Sequence, residues 1–107
     1  MTTTERKTTL VALAILGVCD GLKNGTLDSL QAEKLLFSPH AMRQCADCDQ
    51  RIVEAIHMGT ELDDIQDLVP DDYENTLRRI HELATACLKD ACQSSLTEEN
   101  HWIDTVK

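Results

Sequence analysis

The chain has 107 residues with 19 acids against 10 Lys and Arg, a net charge of −9 and only three aromatic residues, Phe37, Tyr73 and Trp102. That length makes one domain, 1–107, and lets roughly 65% of the unfolded chain's surface be buried without metal or disulfide staples. Net acidity argues against direct contact with nucleic acid or an anionic membrane, each of which needs a cationic surface to displace counterions; it favours a basic protein as partner.

The pattern predicts an all-α fold, a single compact bundle of six to seven helices with a long penultimate one. An aliphatic core of Leu, Ile, Val and Ala suits packed helices better than a sandwich or barrel. The first helix is predicted over 4–23, capped by Thr3 or Thr4 and stopped by Asn24-Gly25. Leu10, Leu13, Ala14, Gly17 and Gly21 form one apolar stripe on it, and Val11, Ile15, Val18 and Leu22 a second. A helix apolar over that much of its circumference is expected to be central, with neighbours on two sides. Gly17-x-x-x-Gly21 permits close helix approach, within the fold or across a homodimer.

The second helix is predicted over 28–37, with Asp28 and Gln31 at capping-box spacing and Leu30, Ala32, Leu35, Leu36 and Phe37 facing inward. Ser38-Pro39 starts a short third helix over 39–45, with Ser38 as N-cap and Pro39 in the first turn. The fourth covers 49–58, buries Ile52, Val53 and Ile56, and stops at Gly59. Thr60 and Asp63 have capping-box-like spacing for a two-turn helix over 61–68, closed by Pro70. Asp71 is the expected cap of the longest helix, 72–95, whose inward stripe is Tyr73, Leu77, Ile80, Ala84, Cys87, Leu88 and Ala91. Thr97, Glu99 and Asn100 would start a last turn carrying Trp102 and Ile103.

Three segments carry a family resemblance: 32–39 (AEKLLFSP), 59–64 (GTELDD) and 68–70 (LVP). In that order and spacing the chain resembles a family of short acidic helical bacterial proteins, mainly of unknown function, over roughly residues 10–88. Some small proteins of this type are encoded beside polymorphic or contact-dependent toxins, so the resemblance implies an immunity role. Its motifs are caps, turns and apolar anchors, and no catalytic residue can be carried over.

No signal or membrane-spanning run is read at the N-terminus, so five cysteines are expected as reduced thiols in the cytoplasm. Cys45-x-x-Cys48 offers two of the four ligands a structural zinc needs, with no second close pair. A thioredoxin-type motif needs a preceding strand, where this chain reads helix. No Cys–His pair stands out as a nucleophile with its base. The expectation is a non-enzyme without cofactor or metal.

The most informative stretch lies between Arg51 and Arg78, where eight acids occur with no Lys or Arg. Local jobs absorb some of them. Glu54 can pair with Arg51 and Glu74 with Arg78, and first-turn acids gain about 0.3–1 kcal/mol from the helix dipole. Asp63, Asp64 and Asp67 remain, clustered opposite Leu62, Ile65, Leu68 and Val69 on a helical wheel. Spacing there does not match a calcium loop, which needs a central Gly and alternate ligands. The candidate partner-binding surface is therefore Asp63, Asp64 and Asp67, flanked by Asp71 and Asp72, with Glu61 and Tyr73 at its rim. It would serve an immunity protein that blocks a basic nuclease toxin. The alternative is a small self-associating regulatory or scaffold protein, a homodimer through Gly17 and Gly21.

Overall fold

The computed structural model describes residues 2–99. The described chain is helical: α1 (Thr3–Asn24), α2 (Ser29–Leu35), α3 (Pro39–Gln44), α4 (Gln50–Gly59), α5 (Leu62–Leu68), a 3-10 turn (Pro70–Asp72) and α6 (Tyr73–Glu99). Asn100, Trp102 and Ile103 lie outside the described residues. Thr97 and Glu99 continue α6 and start no new turn, since neither Gly nor Pro interrupts the helix there.

Local chemistry accounts for most boundaries. Thr2, one residue before the expected caps, accepts from the Glu5 amide at 3.1 Å and begins α1. Gly25 ends it at φ 82°, a conformation that costs a residue with a Cβ. Asp28 and Gln31 close both halves of a capping box, with bonds of 2.8 and 2.9 Å. The Ser38 hydroxyl accepts from the Ala41 amide at 3.1 Å to begin α3. Asp49 caps α4 through the Arg51 amide at 2.9 Å.

Packing centres on α6, which lies against both α1 and α4. α1 and α6 run antiparallel, because Thr4–Thr8 share a cleft with Cys87–Ala91 and Leu22–Lys23 share another with Tyr73–Arg78. Ile15, Phe37, Ile52, Ile56, Leu62, Ile80 and Cys19 are the large side chains fully inside. Gly59 is buried at the end of α4 and does not stop the helix by a left-handed turn; Gly25 is the one glycine with positive φ. The missing side chain of Gly59 is the point, since a Cβ there would lie 2.3 Å from Cγ of the Phe37 ring.

Two expected burial patterns change. Leu30 and Leu35 are 52% and 66% exposed, because a helix of seven residues buries one narrow face, here Ala32, and Phe37 enters the core from beyond its end. On α1, Thr8, Ala12, Ile15, Val18 and Cys19 face the core, while Leu10, Leu13, Ala14 and Gly17 face solvent. α1 is thus covered along one side and open along the other. Gly21 separates from that stripe: it is buried under Leu27, whose Cδ1 would meet a Cβ at 2.8 Å.

Candidate functional site

Between α4 and α6 the chain turns twice, and Asp63, Asp64, Asp67, Asp71, Asp72 and Glu74 lie on that corner. α5 begins right after α4, is tied to α2 by Ser29 Oγ donating to Gln66 Oε1 at 2.9 Å, and anchors itself with the buried Leu62. The 3-10 turn packs on both α5 and the start of α6. Asp64, Asp67, Asp71 and Asp72 are exposed on these elements; Asp63 is half-buried. Asp71 and Glu74 share a shallow cleft of about 370 Å³ with Gln66, Pro70 and Tyr73.

Few of the local jobs expected for acids in this stretch are taken up. Arg51 does not pair with Glu54: its guanidinium grips Asp49 at 2.9 and 3.0 Å and reaches Asp90 of α6 at 2.8 Å. Arg78 donates to Asn75 at 3.3 Å, and Glu74 forms none of the ion pairs found among the described residues. Thr60 turns its hydroxyl back to the His57 carbonyl at 2.6 Å instead of capping α5, which has no side-chain cap. Asp71 caps nothing, because the 3-10 turn runs directly into α6. For Arg51, Arg78 and Thr60 another group of the fold takes the place of the partner suggested by spacing. Asp63, Asp64, Asp67, Asp71 and Asp72 form none of the ion pairs found among the described residues. What remains to the first-turn acids is the favourable end of a helix dipole.

The rim residues separate. Glu61 lies 3.7 Å from His57 Nε2, a pair that is ionic only with a protonated imidazole. Tyr73 is half-buried against the core and lines the clefts on both sides of it. One contributor goes unseen in the sequence wheel. The wheel groups Leu68 and Val69 with the buried Leu62, yet they are 80% and 47% exposed, among the acids. α5 is too short, and docks too near one end, to cover its last turn. The corner therefore combines an apolar tip with a carboxylate surround, the composition of an anchor with a polar rim.

The thiols lie elsewhere. Cys19, Cys45, Cys48 and Cys87 are buried and Cys92 is exposed. Burial pushes the Cys19 thiol up to about 11. Burial first, then the neighbouring Cys48, raises that of Cys45; burial first, then Asp49, raises that of Cys87. These shifts disfavour the thiolate that nucleophilic or redox chemistry requires. Among the described residues no three His, Cys, Asp or Glu side chains come together as metal ligands, and no described helix is long and apolar enough to cross a membrane.

A family model, a protein of unknown function designated DUF3969, matches residues 2–104. The chain belongs to this family. No curated protein and no solved structure matches it. The acidic corner of this DUF3969 member falls inside the matched region, as does every helix described above.

Proposed function

We propose that this chain is an immunity protein that binds a cognate toxin, a basic nuclease, through the corner formed by α5, the 3-10 turn and the start of α6. The observation that carries the reading is the set of exposed and half-buried aspartates there that form none of the ion pairs found among the described residues. Like charges at i,i+4, as at Asp63 and Asp67, oppose helix formation by a few tenths of a kcal/mol. A basic groove would relieve that repulsion and be steered onto the corner by it. Leu68 and Val69 supply the apolar contact that a purely electrostatic encounter lacks. Inhibition would be steric and electrostatic, with no turnover, in the cytoplasm of the producing cell.

Co-expression with a basic nuclease toxin domain, sought first in the neighbouring gene, tests the reading, with growth and co-purification as readouts. Protection by the wild-type chain and its loss in the variant carrying Asp63→Asn, Asp64→Asn and Asp67→Asn together are expected. Full protection by that variant, at unchanged helical content, overturns the assigned interface. The second reading, a self-associating regulatory or scaffold protein, draws support from a different surface, the open side of α1.

A further inference from the structure

We propose that the open face of α1 is a homodimer interface, in which two copies pair antiparallel about a two-fold axis near Val11 and Ala12. This inference is independent of the acidic corner and stands whether or not a toxin is the partner.

Six exposed residues of α1 recur at alternating spacings of three and four: Thr3, Arg6, Leu10, Leu13, Gly17 and Asp20. That is the 3.5-residue repeat of a helix seam that meets another helix, and it lies opposite the buried side made by Thr8, Ala12, Ile15 and Cys19. At the centre of the seam, Leu10 is 59% and Leu13 50% exposed. Among the described residues none covers them, and none lies within 4 Å of where a Cβ on Gly17 would point. Gly17 is therefore available as a hole for an incoming side chain, unlike Gly21, which Leu27 already fills.

The ends of the seam decide the occupant. Arg6 stands at one end and forms none of the ion pairs found among the described residues, and Asp20 at the other, where its only partner among those residues is the Asn24 amide at 3.3 Å. Placed parallel on a copy of itself, the seam would set Arg6 against Arg6 and Asp20 against Asp20. Placed antiparallel, Leu10 of each copy meets Leu13 of the other. Arg6 then lays its aliphatic stem over the open Gly17, and its guanidinium comes within reach of Asp20. One patch thus satisfies both its apolar and its charged groups when it meets itself, as a two-fold isologous interface requires.

The net charge of −9 opposes association, but it is concentrated away from the axis. The acids of the 3-10 turn and the start of α6 adjoin the Leu22–Lys23 end of α1, whereas the two-fold falls in its first half.

Sedimentation velocity over about a hundredfold range of concentration tests the proposal with the chain as its own probe. The wild type is expected to move from its 12.0 kDa monomer toward twice that mass. Leu13→Glu, at an exposed position, is expected to remain a monomer throughout with unchanged circular dichroism. Arg6→Glu and Asp20→Arg should each weaken the dimer at least about tenfold, an effect of about 1.4 kcal/mol, and the two together should restore it. A wild type that stays monomeric, a Leu13→Glu dimer equal to wild type, or a double charge exchange that fails to restore association each overturns the proposal.

Discussion

Gly59→Ala is expected to be among the most damaging single-methyl changes available to this chain. The new Cβ would lie 2.3, 2.5 and 2.6 Å from three atoms of the Phe37 ring, where carbon atoms in contact settle at about 3.5–4.0 Å. The overlap exceeds an ångström by that measure, and Phe37 is fully buried, so the ring has no solvent to swing into. Over-packing of this kind costs about 1–3 kcal/mol, and the upper end applies because backbone and a rigid ring must separate. For a domain of this size about 3 kcal/mol lowers Tm by roughly 12–24 °C. Gly17→Ala, read at concentrations where the chain is monomeric, is the matched control, with nothing within 4 Å of its Cβ, and gains about 0.5–1 kcal/mol from helix propensity. Thermal unfolding followed by circular dichroism reads both, and Phe37→Leu combined with Gly59→Ala should recover part of the loss. A Tm for Gly59→Ala close to wild type, or costs of the two changes that simply add, would refute the contact. The result bears on the site, since this contact fixes the end of α4 from which α5 and its aspartates project.

Three further outcomes follow from the same geometry. Arg51→Met frees Asp49 and Asp90 and should destabilise the fold by about 1 kcal/mol at neutral pH, the pair being too solvated for more. The Arg51 guanidinium holds the Asp49 carboxyl below the usual carboxylate range, so its stabilising contribution is complete above about pH 5 and fades as pH falls further. Acid titration should accordingly unfold Arg51→Met at a higher pH than wild type, and coincident curves would contradict the assignment. A thiol reagent applied to the native protein at neutral pH should label Cys92 quickly and the four buried cysteines only as the protein opens, which mass spectrometry resolves site by site. Leu68→Ser should leave Tm within a degree or two, because the side chain is 80% exposed, yet slow-dissociating binding to a basic partner should be lost.

Features set by a few neighbouring residues were legible in the sequence. The Asp28–Gln31 box, Ser38-Pro39 and Asn24-Gly25 each contain their own chemistry, and each stands where spacing places it. The resemblance carried by 32–39, 59–64 and 68–70 also agrees with the family match. Choices that depend on what packs nearby were not legible. Arg51 had Glu54 at helical spacing, but Asp49 and the distant Asp90 offered better-aligned carboxylates. Thr60 and Asp71 looked like caps, yet the chain turned too tightly at both places for a side chain to reach forward. The two apolar stripes of α1 read as one central helix, since periodicity reports which residues are apolar and not which side receives a neighbour. For the acidic corner, the residues came from the sequence and their lack of partners from the fold. Leu68 was the omission, hidden by a wheel that assumes the whole apolar side of a short helix is covered.

The most direct measurement is the affinity of the candidate toxin domain for the wild-type chain and for the variant with Asp63, Asp64 and Asp67 all changed to Asn, at low and moderate salt. The proposed interface predicts tight wild-type binding that weakens with salt, and a variant that keeps its helical content but loses most of that affinity and most of its salt dependence. Equal affinity and equal salt dependence for the two proteins would contradict it.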